Sequence, residues 1–354
     1  MHEKNQTLVS EIVLLGFQNL QNFKIPLFSL FLLIYILTIC FNVLIMGLVS
    51  VSRNLQSPMY LFIQQLSVSD LMQSTNIAPT LLLTIMNEGT TVLLVGCITQ
   101  LLCFGGLETL QCLLLAVMSY DRYVAICIPL RYTSIMSHRV CVTLILISWL
   151  LGLIITFNTG NAICKLQFGH QNTIDHFFCD FFPLVELSYS NNFFFHIEVV
   201  LGSIPVVFFP FLCITVSYMC IAHAILKIVS NTGRQKAFST CSSHLAVVFL
   251  FYGILIAIYV VPPKTNSQTI SKVLSLLYTV VIPLVNPVIY SLKSKDIKDA
   301  LKHILVSKLN TNFGWTALKL HALAPPRCIA NPCLAIYSAI TRDNCFQAEL
   351  NCRN

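Results

Sequence analysis

Apolar stretches nearly free of charge alternate with short polar segments along this chain. The longest run from Ile25 to Val51, Val140 to Phe157, Phe193 to Ile225 and Leu245 to Val261. A bilayer core about 30 Å thick takes roughly 20 helical residues, so each run can span it. The runs are continuous rather than ten-residue stretches of alternating polarity, which favours helices over strands of a barrel. Walking the chain predicts spans near 25–51, 58–83, 94–127, 140–160, 194–227, 238–262 and 269–291. Two are less plain. The second is interrupted by Asp70 and the polar stretch Gln73 to Asn76, and the seventh contains Pro283, Asn286 and Pro287. Both are kept, because neighbouring helices or waters can satisfy the carbonyls that proline frees. The expected fold is an all-α membrane protein, a seven-transmembrane helix bundle.

Composition strengthens this picture. Of 354 residues, 56% are hydrophobic and only 10% charged, whereas a soluble domain carries about a quarter charged residues. The first twenty residues include Glu3, Lys4 and Glu11 and no apolar core ending in a small-residue cleavage site. The first span is therefore expected to act as the targeting signal. Gly-rich phosphate loops, metal-spaced Cys/His clusters and a nucleophile elbow are absent from the sequence, which argues against an enzyme. No cofactor, metal ion or nucleic-acid partner is expected.

Charge sets the orientation. With the N-terminus outside, the inner side holds twelve basic residues, among them Arg53, Arg122, Arg131, Arg139, Arg234 and Lys236, against Lys4, Lys24, Lys165, Lys264 and Lys272 outside. This is the positive-inside pattern. Asn5 opens the only glycosylation sequon, on the expected outer side. The expected organisation is an extracellular N-terminus over 1–24, the bundle over 25–292, an amphipathic membrane-surface helix over 293–306 and a cytoplasmic tail over 307–354. Ile297, Leu301, Ile304 and Leu305 repeat at helical spacing between Lys295, Lys298 and Lys302. Such a stripe suits the inner headgroup layer and its lipids; an ordinary solvated tail is the alternative.

The third span ends in Met118-Ser119-Tyr120-Asp121-Arg122-Tyr123-Val124-Ala125-Ile126-Cys127, followed by Pro129-Leu130-Arg131-Tyr132. Further motifs are Pro58-Met59-Tyr60 with Asp70, Lys236-Ala237-Phe238-Ser239-Thr240-Cys241 with His244, Phe251-Tyr252-Gly253, and Asn286-Pro287-Val288-Ile289-Tyr290. His176-Phe177-Phe178-Cys179-Asp180 follows the fourth span. In these motifs, over roughly residues 5–308, the chain resembles odorant receptors, a family within the rhodopsin-like G-protein-coupled receptors.

The resemblance implies an activation switch in which Asp121 holds Arg122 at rest, with Tyr123 beside them and Tyr218, Asn286, Pro287 and Tyr290 as further members. A charged residue at membrane depth is costly and so a functional candidate; a purely structural ion pair is the alternative. Asn42, Asp70, Gln111 and Asn286 are expected to form a buried polar cluster, each needing partners there. Odorant receptors usually carry Glu where Gln111 stands, which removes a negative charge from that cluster. The resemblance pairs Cys97 with Cys179 in a disulfide. It also places a second loop bridge at positions occupied here by Gly169 and Tyr189, so that bridge is lost as a unit and Cys164 is expected to be free.

A small ligand is expected in the outer half of the bundle. Helical spacing puts Phe104, Gly105, Glu108 and Thr109 there from the third span, and Gly202, Ser203 and Val206 from the fifth. Tyr252, Leu255, Ile256 and Tyr259 follow from the sixth and Thr279 from the seventh. For each singly, core packing is the competing reading. Glu108 stands where the family usually has a small residue. It is expected to bond a ligand donor such as an amine, against two rivals: a protonated Glu bonded within the bundle, or a displaced substitute for the carboxylate missing at Gln111.

The resemblance implies an odorant as ligand, a heterotrimeric G protein of the stimulatory olfactory type as partner, and cyclic AMP as output at the plasma membrane. A transporter or channel, or a non-olfactory small-molecule receptor, is the alternative. Beyond about residue 310 the resemblance stops. The tail, with Cys328, Cys333, Cys345 and Cys352, is expected to be a disordered extension, with palmitoylation as the functional alternative.

Overall fold

The computed structural model describes residues 10–87, 89–169, 171–188, 193–260 and 268–303. Among them are seven long helices: α1 (Lys24–Val51), α2 (Pro58–Met86), α3 (Leu94–Cys127), α4 (His138–Ile163), α5 (Phe193–Leu226), α6 (Asn231–Val260) and α7. The last runs from Gln268–Leu276 through a π turn, Leu277–Val281, into Ile282–Lys293. Asn5 and the tail from 304 lie outside the described residues, as do Ile304 and Leu305 of the amphipathic stripe; residues 295–303 are helical.

Six of these helices are long and apolar enough to cross a membrane by composition alone. Helix α2 is the other, and its polarity has a direction. Ser67, Ser69, Asp70, Gln73 and Ser74 are all buried, so its polar side chains face the bundle. Conversely α4 presents Leu146, Leu150, Leu153 and Phe157 outward. With lipid as apolar as leucine, that inversion of the soluble pattern carries no penalty.

Two prolines illustrate how α7 is kept. Pro287 has no N–H to offer the carbonyl four residues back, that of Pro283. Asn42 of α1 donates its side-chain amide to this oxygen at 3.0 Å. Helix α6 begins at Asn231, so only residues 227–230 join it to α5, and Arg234 lies on the helix rather than in a loop.

At one end the chain forms a small sheet that periodicity does not announce. β1 (Glu11–Leu14) is its central strand, antiparallel to β2 (Thr90–Leu93) and parallel to β3 (Thr173–Ile174). Ile12 and Leu14 are fully buried, in a cluster with Leu101, Ile163, Ile174 and Leu184; burying two such side chains contributes about 1.5–3 kcal/mol each. The Cys97–Cys179 disulfide lies in the same cluster. Gln100, one turn along α3, accepts from the Cys179 amide at 3.0 Å and donates to Asn76 O and Thr80 Oγ1 of α2, both at 2.9 Å. The end carrying the sheet and disulfide is termed the outer end.

Candidate functional site

A cavity of about 210 Å³ opens in the outer half of the bundle. One wall comes from α3, where the i, i+4, i+8 spacing puts Phe104, Glu108 and Cys112 on one inward face, with Gly105 and Thr109 beside them. Val206 and Val207 come from α5, Leu255 and Ile258 from α6, and Ser275, Tyr278 and Thr279 from α7. Helix α4 adds Ile155, Thr156 and Thr159, and it approaches closely because Gly106 of α3 faces Gly152 of α4.

The roof is the second outer loop. Cys179 is tied to the start of α3 by its disulfide, and the flanking Phe178, Asp180, Phe181 and Phe182 line the cavity. Asp180 caps the short helix Phe181–Glu186, its Oδ1 accepting from the Phe181 amide at 2.7 Å. Burial raises the Asp180 carboxyl to about 6, against the opposing pull of that amide. His176 is buried against the Phe177 and Phe178 rings, at centroid distances of 4.6 and 4.8 Å. Burial, aided by the charge of Lys272, pushes its imidazole down to about 3.

Seven of the twelve expected ligand positions line this cavity: Phe104, Gly105, Glu108, Thr109, Val206, Leu255 and Thr279. Three do not. Gly202 faces open space. Ile256 is turned out of the bundle with half its surface exposed, and Ile258 takes the inward place. Tyr252 is buried beside Cys112, one layer below the cavity. The side chains of Ser203 and Tyr259 lie outside the described residues. Sequence spacing missed the four roof residues and the α4 wall. The signal for the roof was available: a bridge from Cys97 to Cys179 forces residues next to Cys179 over the top of α3.

Rings connect the roof to the lower bundle. Phe178 packs edge-on to Phe104 at 5.4 Å, and Phe104 meets Tyr278 at 6.0 Å. Tyr278 then meets Phe251 at 5.4 Å, Phe251 meets Tyr252 at 5.3 Å, and Tyr252 meets Phe211 at 5.0 Å. The Phe178–Phe104, Phe104–Tyr278 and Phe251–Tyr252 pairs are edge-to-face, a geometry worth about 0.5–1.5 kcal/mol beyond burial, so the rings form a continuous packed path from the roof to α6.

Below this lies the polar cluster. Asp70 accepts from Gln111 Nε2 and from Asn286 Nδ2, each at 3.0 Å, and Gln111 also reaches Gln73 Oε1 at 2.8 Å. Asn42 bonds the α7 backbone rather than Asp70. Glu108 lines the cavity together with Tyr278, while both oxygens of Asp70 are met by Gln111 and Asn286.

At the inner end Arg122 donates to Asp121 through Nε at 3.0 Å and through a terminal nitrogen. Tyr132, in the loop after α3, donates to the other carboxylate oxygen at 2.8 Å. Tyr123 is half-buried beside Tyr120. Tyr218 bonds His244 Nδ1 at 2.5 Å rather than Arg122. Tyr290 is buried, its hydroxyl bonded to none of the described residues, and Pro287 is buried beside Asn286 on α7.

Residues 31–308 match the family model described as olfactory receptor. The human olfactory receptor 11L1 is 43% identical over 308 residues, covering 87% of this chain and 96% of that one. The human olfactory receptor 5G3 is 44% identical over 310 residues, 87% and 98% of the two chains. The mouse olfactory receptor 5P4 is 42% identical over 305 residues, 86% and 98%. The match runs across the whole bundle and holds for relatives of nearly full length, and the chain therefore belongs to the olfactory receptor family.

Proposed function

We propose that this chain is an odorant receptor whose agonist enters the outer cavity and whose inner face activates a stimulatory G protein, raising cyclic AMP. The observation that carries the reading is the aromatic path. It leads from the roofed cavity at Phe178 and Phe104, through Tyr278, to Phe251 and Tyr252 on α6. A ligand that packs better against one arrangement of these rings than another shifts the population of α6 positions. At the inner end Asp121 and Arg122 are paired, and release of that pair is the second state the reading calls for. Packed rings and a charge-assisted pair favour discrete rather than graded rearrangements, as a switch requires. The charge asymmetry supports an extracellular N-terminus and a plasma-membrane location.

The test is a cyclic AMP assay in cells carrying the receptor, across amines, acids, aldehydes and ketones, with surface expression measured in parallel. An agonist response that disappears in Arg122→Ala at equal surface level is the expected result. A ligand-gated ion current that persists without G protein would overturn the reading.

A further inference from the structure

Two carboxylates from different elements face the same cavity, Glu108 from the middle of α3 and Asp180 from the roof. Among the described residues lining it there is no lysine, arginine or histidine. The negative charge of Asp180 acts on Glu108. Neither group is fully occupied. Asp180 gives Oδ1 to the Phe181 amide while Oδ2 bonds none of the described residues, and Glu108 has the Tyr278 hydroxyl. Both oxygens of Asp70 are taken by Gln111 and Asn286, so Glu108 is not a member of that cluster.

Like charges sharing a low-dielectric space raise one another's energy, and a cation placed between them relieves both. The rest of the lining fits the remainder of such a ligand. Leu101, Leu255 and Val206 are apolar, and the rings of Phe104 and Tyr278 border the same space, a lining suited to methylenes. The cavity volume of about 210 Å³ lies below the roughly 300–1,000 Å³ of pockets for drug-sized ligands and suits a short alkyl chain.

We propose that the receptor's agonists are small protonated amines, with the ammonium held by Glu108 in a field that Asp180 reinforces and the alkyl part among the apolar walls. This rests on the reading of the cavity as the agonist site. An ammonium has three donors and no acceptor, so it can satisfy Glu108 without displacing Tyr278 and still face Asp180. A carboxylic acid of equal length meets two like charges and is rejected.

The experiment uses the full-length receptor with hexylamine, hexanol and hexanoic acid. Binding is read as thermal stabilisation of detergent-purified protein, and signalling as cyclic AMP in cells. Hexylamine is expected to stabilise and activate, hexanol weakly, hexanoic acid not at all. Glu108→Gln is expected to weaken the hexylamine response at least about tenfold, the scale of one lost charge-assisted hydrogen bond. Asp180→Asn is expected to weaken it several-fold, and in both variants the preference for hexylamine over hexanol is expected to fall. Stabilisation by hexylamine without cyclic AMP would support the amine inference and overturn the coupling. Cyclic AMP raised by hexanol or hexanoic acid but not by hexylamine would keep the coupling and overturn the amine inference. An unaltered hexylamine response in Glu108→Gln at equal surface level would also overturn it.

Discussion

Gln111 donates its side-chain amide to Asp70 at 3.0 Å, closing from α3 a carboxylate that Asn286 closes from α7 at the same distance. Asp70 is fully buried. Removing one donor from a buried, hydrogen-bonded carboxylate costs on the order of 1–3 kcal/mol. Gln111→Leu is therefore expected to lower thermal stability in detergent by that amount, and to leave Gln73 short of a partner as well. An unchanged melting curve would show that this cluster does not hold α2, α3 and α7 together.

The pairing of Asp121 with Arg122 has an outside support in Tyr132. Tyr132→Phe removes one hydrogen bond to Asp121, worth about 1.5–3 kcal/mol for a charged acceptor. Arg122 is then held less tightly, and cyclic AMP without agonist is expected to rise. Equal basal activity in wild type and variant, at equal surface expression, would count against a restraining role for Tyr132.

Acid acts on the outer loop through two groups of opposite sign. His176 is neutral in the folded protein down to about 3, against an ordinary value of 6.5. Its contribution is full above 6.5 and is lost as pH falls toward 3, because only the unfolded chain takes up the proton. Asp180 is raised to about 6 from 3.8. Its contribution is present below 3.8 and is lost as pH rises through 6. Between pH 6 and 4 the two oppose each other. Stability of Asp180→Asn should fall on acidification in this window, by up to about 1.4 kcal/mol per pH unit, while that of His176→Gln should rise. Parallel pH profiles for the two variants would contradict this assignment.

Helices α3 and α4 touch through backbone. A Cβ on Gly152 would lie 3.0 Å from the Gly106 carbonyl oxygen, and one on Gly106 would lie 2.1 Å from Thr156 Oγ1. The first obstacle is main chain and cannot move aside; the second is a side chain. Gly152→Ala is expected to cost about 1–3 kcal/mol through overpacking. Gly106→Ala is expected to be relieved by adding Thr156→Ala. Thermal unfolding of the two single variants and the double variant checks both statements.

The bundle was legible because run length and charge are strong signals at membrane scale, and the family match makes the chain a multi-pass membrane receptor and not an enzyme. Even the polar stretch of α2 could be kept as a span once its side chains had an interior to face. The rotation of α6 was harder. From Leu245 onward this helix is apolar on every side, so spacing from Tyr252 fixed which residues share a face but left the boundary of that face open, and Ile256 fell outside it. The outer sheet gave no warning, since strands of four and two residues show no periodicity. The roof was hidden for a different reason: a loop's path is set by its anchors, and only the Cys97–Cys179 bridge carries that information.

The order of synthesis gives the outer sheet a consequence of its own. Its central strand, Glu11–Leu14, is made first, yet its neighbour Thr173–Ile174 is made only after four helices have followed. Until then the strand's hydrogen-bonding edge and the side chains of Ile12 and Leu14 wait uncovered, and Lys272 of the last helix must still arrive to bond Gly16 O at 2.9 Å and Asp175 at 2.5 Å. Completion of this sheet therefore reports that the first four helices have been made, while the two Lys272 bonds beside it wait for α7, and a chain stalled before Thr173 displays an unfinished edge.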